Sequence, residues 1–351
     1  MKPLDELIRP HLRHLVPYSS ARDDYDGTEG VFLDANENAY GSVIDAPLHR
    51  YPDPYQRAVK DRVARVKGVR PEQIFLGNGS DEPIDLLMRA FGRPGQDQVI
   101  LLPPTYGMYG VSAGLNELGI KSVPLLPGFQ IDVTATLAAF GDTTKLLFVC
   151  SPNNPSGNVM DREAVERLLD FPGLIVIDEA YADFSPEHSW LPELDRYPNI
   201  VVLQTFSKAW GLAALRLGMA FASPEIIRVL NRIKPPYNVN LLTQQHALAA
   251  LDQTERKNER VAKLTEQRTH LQKELSALAF VQHVFPSDAN FLLTRFDDAA
   301  TVFRYLIDQQ VIVRDRSRLP LCEGCLRVTV GTEAENAVLI DALRRFDSAT
   351  P

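Results

Sequence analysis

An α/β fold is what the sequence predicts: a large domain with a mostly parallel sheet between helices, plus a small α+β domain. Three observations carry this expectation. From about residue 74 to 223, short apolar runs alternate with amphipathic or turn-rich stretches. These runs are continuously apolar rather than alternating, the mark of strands buried on both faces. Beyond Pro235 and Pro236 the texture changes, first to charge-rich helical sequence and then to a mixture of strands and helices.

The apolar runs are QVILL (98–102), KSVPLL (121–126), KLLFVC (145–150), GLIVID (173–178), NIVVLQ (199–204) and LGMAFA (217–222). Between two of them lies DREAVERLLD (161–170), a helix with Val165, Leu168 and Leu169 on one side. Strand, helix, strand at this spacing reads as βαβ units and hence a parallel sheet. Residues 241–279 carry neither Gly nor Pro and form one long helix, or two nearly continuous ones. Their many charges read as a solvated face rather than an interaction surface. The tail then gives strand (289–296), helix (298–310), two strands (311–315 and 325–331) and a last helix (332–346). Thr332 and Glu335 have the spacing of a capping box at its start. There is no internal repeat or low-complexity segment.

At 351 residues the chain is long enough for about two domains. Its 45% hydrophobic and 23% charged residues are the mix of an ordinary globular protein. Lys and Arg total 37 against 45 Asp and Glu, a net charge of -8 that argues against binding a nucleic-acid backbone. It does not argue against small anions, because a pocket feels its nearest charges more than a screened surface total. Three cysteines make no disulfide framework, so a reducing compartment is expected. Asp5 and Glu6 stand where a signal peptide needs an apolar core, and no apolar run approaches the ~20 residues of a membrane span. The expectation is a cytoplasmic protein.

In parallel α/β sheets, ligands bind just beyond the carboxyl ends of the strands. KLLFVC is followed by SPNNPSGN, a turn dense in Pro, Asn and Gly, and QVILL leads to Tyr106. GLIVI ends in Asp178, Glu179, Ala180 and Tyr181, and NIVVLQ leads to Thr205, Phe206, Ser207 and Lys208. Asp178 follows four apolar residues, so its carboxylate is expected to be partly buried and to need a partner. Lys208 has the same difficulty at another strand end. Taken singly, both have ordinary readings: they pair with each other, or Lys208 reaches solvent.

Together they point to chemistry. A lysine in a dehydrated pocket is a good nucleophile towards a carbonyl, because desolvation lowers its pKa. An aspartate held apart from it partners a protonated pyridine nitrogen. Pyridoxal 5'-phosphate requires both, with an aromatic stacking surface and an anion cradle. Tyr106 is the candidate stacking surface. The glycine turn at 76–82 opens a helix over about 82–91, whose first N–H groups and dipole suit a phosphate. Ser207 and Arg216 complete that cradle, the arginine by charge-assisted hydrogen bonds.

The run from Ser207 through Lys208 and Arg216 to Gly218 resembles the Schiff-base lysine signature of the class II aminotransferases, fold type I pyridoxal-phosphate enzymes. Asn153-Asn154-Pro155-Ser156-Gly157 resembles the family's Asn-Pro-Thr-Gly turn, with serine in place of threonine and the hydroxyl retained. Asp178-Glu179-Ala180-Tyr181 also matches. Within that superfamily the chain is similar to the histidinol-phosphate aminotransferases. The matching pieces are LDANEN (33–38), RYPDP (50–54), GNGSDE (77–82), PYNVN (236–240), VRD (313–315) and LRVTVG (326–331).

The resemblance implies an aspartate-aminotransferase-like fold, with a large cofactor domain over 45–245 and a small domain made of 1–44 and 246–351. It implies transamination between glutamate/2-oxoglutarate and histidinol phosphate/imidazole acetol phosphate in histidine biosynthesis, by a homodimer. Lys208 is then the lysine that bonds the cofactor and carries the proton between substrate Cα and cofactor C4′. Asp178 accepts the pyridinium N–H, Asn154 and Tyr181 hydrogen-bond the phenolic oxygen, and Tyr106 stacks on the ring. Ser80, the Asp81 backbone N–H, Ser207 and Arg216 hold the phosphate, with Tyr51 reaching it from the neighbouring subunit. Arg314 and Arg327 grip the anionic end of the substrate, which suits a guanidinium fork that accepts carboxylate and phosphate alike. Asn36 and Tyr18 are further substrate contacts. Each of these last residues also has an ordinary reading, as a packed tyrosine, a structural ion pair or a loop residue.

Other readings of the same fold stay open: an aromatic amino-acid aminotransferase, a phospho-amino-acid decarboxylase, or, more remotely, a non-catalytic binding protein. Retention of Lys208 with Asp178 argues against the last. Three further signals are set aside. Cys322 and Cys325 have zinc-knuckle spacing but too few partners, and His11 with His14 has no third ligand in sight. Gly77 and Gly79 suggest a dinucleotide fingerprint, but Glu82 occupies the place of its third glycine.

Overall fold

The computed structural model describes residues 3–18 and 30–349. The expected small-domain residues at 19–29 and at the two chain ends lie outside the described residues. The chain opens with helix α1 (Leu4–Leu7) and a 3-10 turn at Pro10–Leu12. After irregular chain come α2 (Arg57–Lys67), β1 (Ile74–Asn78), α3 (Asp81–Phe91), β2 (Gln98–Leu101), α4 (Met108–Leu115) and β3 (Gly119–Ser122). Next are α5 (Val133–Ala139), β4 (Thr144–Cys150), α6 (Arg162–Glu166), β5 (Leu174–Asp178), β6 (Ile200–Thr205), β7 (Leu217–Ala222) and α7 (Pro224–Ile233).

These strands form one seven-stranded sheet in the order β1-β7-β6-β5-β4-β2-β3. The ladders joining β6, β5, β4, β2 and β3 are parallel, and only β7 runs against its neighbours β6 and β1. The apolar runs are buried on both faces because successive side chains alternate between two cores. Leu147, Val149, Ile175 and Ile177 face one core, whereas Leu146, Phe148, Leu174 and Val176 face the other, with α3 and α7. Full burial of each such side chain stabilises the fold by roughly 1.5–3 kcal/mol. The second run, KSVPLL, departs from expectation. It is an exposed edge strand, β3, which stops at Ser122, two residues before Pro124, a residue with no N–H to donate to a ladder. Val123 and Leu125 are still buried, but outside the strand.

The charged region is two helices, α8 (Leu241–Leu251) and α9 (Thr254–Ser276). At the break Gln253 leaves helical geometry, so α8 stays against α2 while α9 turns to cover a second sheet. That sheet comprises β8 (Val281–Val284), β9 (Phe291–Phe296), β10 (Arg314–Asp315) and β11 (Cys325–Thr329), all antiparallel in the order β10-β11-β9-β8. Helices α10 (Ala299–Asp308) and α11 (Glu333–Ala349) pack with α9 into its core. Strand β8 is not among the expected elements, its two central residues, Gln282 and His283, being exposed, and β10 is shorter than the run VIVRD suggested. The capping box of α11 forms as expected: Glu335 Oε2 accepts from the Thr332 N–H at 2.7 Å, and Thr332 Oγ1 accepts from the Glu335 N–H at 3.3 Å.

At the N-terminus, Leu7, Ile8 and Leu12 pack in the same core as Ile84 and Leu87 of α3 and Ile226 of α7. Arg9 N–H donates to the Ala90 carbonyl at 3.0 Å, so this first segment clasps the large sheet's helical layer. Among the described residues no helix is long and apolar enough to cross a membrane.

Candidate active site

The carboxyl ends of β1, β4, β5 and β6 open on one cleft of about 260 Å³. Because β7 runs the other way, its first residues lie at this same edge, and Arg216 just before it joins the lining. Lys208, Asp178, Asn154, Tyr181, Tyr106, Ser80, Asp81, Ser207, Arg216 and Arg327 all line the cleft, although they come from segments up to 247 residues apart.

Asp178 closes β5 and is 3% exposed. Its Oδ2 accepts from the Tyr109 hydroxyl at 2.5 Å and its Oδ1 from the Ala180 N–H at 3.0 Å. Burial pushes its carboxyl above the usual range, and the Tyr109 bond pulls it back. No ion pair joins Asp178 to Lys208 among the described residues, so the simple pairing of the two does not form. Lys208 remains open to the cleft, its Nζ 5.5 Å from the centre of the Tyr181 ring. Desolvation, then the Arg327 charge, lowers its pKa from the ordinary 10.5, with Asp178 pulling the other way. The amine is thus nearer its nucleophilic form than a surface lysine.

Asn154 sits on the turn after β4, and its Oδ1 accepts from Arg327 Nη1 at 2.5 Å. The turn is fixed from both sides. Asn153 Nδ2 donates to the Pro104 carbonyl at 2.9 Å and to Ser156 Oγ at 2.8 Å, which gives the retained hydroxyl a structural use. Asp288 Oδ2 accepts from the Val159 N–H at 2.9 Å, clamping the turn to the chain just before β9. Tyr181 is buried, edge-on to Phe291 at 5.1 Å, and burial raises its phenol pKa while Arg327 opposes the shift. Tyr106 donates to Asp81 Oδ1 at 3.1 Å.

At the start of α3, where Ser80 and Asp81 line the cleft, the Ser80 side chain makes no capping hydrogen bond and leaves the first-turn N–H groups without a side-chain acceptor. Gly218 and Gly79 bring two backbones together here. A Cβ on Gly218 would lie 2.2 Å from both the Gly79 carbon and the Ser80 nitrogen, and Gly79 has φ +69°. Arg216 Nη2 stands 3.5 Å from Asp81 Oδ2 at the rim. Helix start, guanidinium and hydroxyl converge as an anion site. Glu82, which replaces a third fingerprint glycine, instead accepts from the Asn78 N–H and from Asn238 Nδ2 and so shapes the turn.

Four expected site residues lie elsewhere. Tyr51 stacks on Tyr237 at 4.4 Å and, with Asn36, lines a separate cavity of about 510 Å³. Glu37 ties those two motifs together, accepting from the Tyr51 N–H and from Arg50 Nη1, both at 2.6 Å. Tyr18 is exposed beside another cavity with Arg232 and Lys234. Arg314 faces Arg327 across the β10–β11 ladder, is exposed, and lines a surface hollow outside the cleft.

The sequence reading does not include two side chains that shape the site. Tyr109 is one helical turn beyond Tyr106, and only the packing of α4 on Phe148 aims its hydroxyl at Asp178. Arg316 lines the cleft beside Arg327. Its position two residues after Arg314, on the same side of an extended chain, was the available signal.

Residues 24–343 match the family described as aminotransferase class I and II. The chain is 58% identical over 344 residues to a histidinol-phosphate aminotransferase of Cytophaga hutchinsonii, covering 98% of this chain and 99% of the relative. A solved histidinol-phosphate aminotransferase from Clostridium acetobutylicum superposes with a TM-score of 0.80 at 22% identity, over 86% of this chain and 91% of that one. Another, from Sinorhizobium meliloti in complex with pyridoxal-5'-phosphate, gives 0.77 at 24% identity over 90% of each chain. With the lysine, the buried aspartate and the uncapped helix converging on one cleft, the chain belongs to the class I and II aminotransferases, and within them to the histidinol-phosphate aminotransferase family.

Proposed function

We propose that this protein is a pyridoxal-phosphate-dependent transaminase that moves an amino group between glutamate/2-oxoglutarate and histidinol phosphate/imidazole acetol phosphate in histidine biosynthesis. The observation that carries the reading is the separation of Lys208 from Asp178. Amine and buried carboxylate face one cleft, and the carboxylate is satisfied by Tyr109 and Ala180 rather than by the lysine.

The residues present suit that cofactor. Its phosphate is a match for the uncapped start of α3 at Ser80 and Asp81, with Ser207 and Arg216 beside it, where the contact of Gly218 with Gly79 keeps side chains out. Asp178 offers a carboxylate to a ring N–H, Asn154 and Tyr181 offer hydrogen bonds to a ring oxygen, and Tyr106 offers a face for stacking. When bound, the cofactor supplies an electron sink for charge developing at the substrate Cα. Lys208 takes the proton from that carbon, its amine kept reactive by burial and by Arg327. Arg327, braced by Asn154, binds the anionic end of the substrate, with Arg314 at the outer rim.

The same reading makes the enzyme a cytoplasmic homodimer. Tyr51, outside its own cleft, is available to reach the phosphate site of a partner subunit, and Asn36 and Tyr18 to contact its substrate. The large domain is assigned to 45–245 and the small one to 1–44 and 246–351, with Leu7, Ile8 and Leu12 of the first segment packed on the helices of the large domain.

Purified protein loaded with pyridoxal phosphate is expected to show a visible absorption band that borohydride removes irreversibly, and Lys208→Ala to lose it. Absence of the band in the wild-type protein would sink the enzyme reading. Steady-state rates with histidinol phosphate, phenylalanine and threonine phosphate separate the readings within the fold. The assignment fails if histidinol phosphate is not preferred by kcat/KM.

A further inference from the structure

We infer that Arg316 is a further substrate-binding residue, one that takes the phosphate end of a phosphorylated substrate together with Arg327 and so favours it over a dicarboxylate. The inference rests on the transaminase reading above and names the source of its selectivity.

Arg316 and Arg327 line the same cleft, but they are not equally engaged. Arg327 gives Nη1 to Asn154 Oδ1 and lies over the Phe291 ring at 5.2 Å. The guanidinium of Arg316 makes no hydrogen bond or ion pair among the described residues, and its Nε is buried without a partner. The Nε of Arg327 is in the same condition. A buried donor on a charged group costs free energy until something accepts from it. Two such donors on neighbouring guanidiniums form a site that an anion completes.

The backbone keeps the two together. Arg316 N–H donates to the Cys325 carbonyl at 3.0 Å, joining the residue to β11, which carries Arg327 two residues on. Desolvation and the mutual repulsion of Arg316, Arg327 and Arg314 lower the pKa of Arg316, as expected of positive charge held close without a counter-ion. The cleft's own acids are committed elsewhere: Asp81 to Tyr106 and Arg216, and Asp178 to Tyr109 and Ala180.

Charge arithmetic then assigns the ligand. The two carboxylates of glutamate carry one negative charge each and lie at opposite ends of the molecule, so the one that meets this site is satisfied by one guanidinium fork, which Arg327 supplies. A phosphate monoester carries nearly two charges and three acceptor oxygens, and it fills both forks. The second arginine is therefore worth more to histidinol phosphate than to glutamate.

The test uses the full-length, cofactor-loaded protein with Arg316→Gln and Arg316→Lys. For Arg316→Gln, the ratio of kcat/KM for histidinol phosphate to that for glutamate should fall about 10- to 100-fold, the range of hydrogen bonds to a charged group. The loss should lie mainly in KM. Calorimetric titration with inorganic phosphate, the cofactor's own phosphate site being filled, should show affinity weakened by a similar factor. Arg316→Lys should restore part of it, through charge without the fork. An unchanged ratio with unchanged phosphate affinity would overturn the inference, as would equal losses for both substrates, which mark a merely structural role. If the wild-type protein does not turn over histidinol phosphate, the transaminase reading fails, and the phosphate titration still decides whether Arg316 holds an anion.

Discussion

Tyr109→Phe removes one hydroxyl from a fully buried site and leaves in place the ring that stacks on Phe148 at 4.8 Å. The Asp178 carboxylate then keeps a single hydrogen bond, from the Ala180 N–H. A hydrogen bond to an ionised acceptor is worth about 1.5–3 kcal/mol. The direction follows from the site. Burial already raises the Asp178 pKa from its ordinary 3.8, the Tyr109 bond opposes that, and its loss lets the pKa climb further. Because the folded chain binds this proton more tightly than the unfolded chain, stability falls as pH rises from the ordinary value through the raised one. The variant extends that fall. Urea unfolding of the cofactor-free protein should show Tyr109→Phe less stable by about 1.5–3 kcal/mol at pH 8. At acid pH, protonation of Asp178 relieves the charge and the difference shrinks to the ~1 kcal/mol of a neutral hydrogen bond. Pyridoxal-phosphate affinity should fall as well, since the carboxylate that would meet the ring nitrogen is less often ionised. A pH-independent loss, or no loss at pH 8, would refute the idea that this hydroxyl governs the aspartate.

Two further outcomes follow from the geometry. Gly218→Ala would put a Cβ 2.2 Å from backbone atoms of Gly79 and Ser80, which cannot rotate away. It should cost about 2 kcal/mol or more in stability and abolish tight cofactor binding, and normal melting with normal cofactor titration would count against the cradle as described. For Lys208, borohydride trapping of pyridoxal phosphate onto the cofactor-free protein should speed up with rising pH. Its midpoint should lie below 10.5, since burial and Arg327 disfavour the charged amine, and Arg327→Gln should move it upward. A midpoint at or above 10.5 in the wild-type protein would contradict the assigned electrostatics.

Local chemistry was legible in the chain itself. Continuous apolar runs announced strands buried on both faces, because no other pattern keeps both sides of a parallel sheet dry. The polar residues ending those runs announced the site, because strand ends are where a parallel sheet meets its ligand. Asp178, Lys208, Asn154 and Tyr181, read in this way, all line the candidate cleft, and the capping box of α11 was read from the spacing of Thr332 and Glu335. Elements that owe their form to neighbours were not legible: the polar strand β8 and the exposed edge of β3 depend on what packs against them, and so does the choice between one helix and two over 241–279.

Side-chain direction was decided only by the tertiary structure. Tyr106 and Tyr109 look alike in sequence, yet the packing of α4 buries one against Asp178 and leaves the other at the cleft. Arg314 and Arg316 are equally basic, yet only Arg316 is carried into the cleft with an unmet donor. Tyr51 and Asn36 carry strong local motifs, yet they stand apart from Lys208. A sequence states which groups are present and at what spacing along one strand or helix. Which of them meet depends on how separate elements are turned towards each other, and that is set by the summed burial of two cores on either side of one sheet.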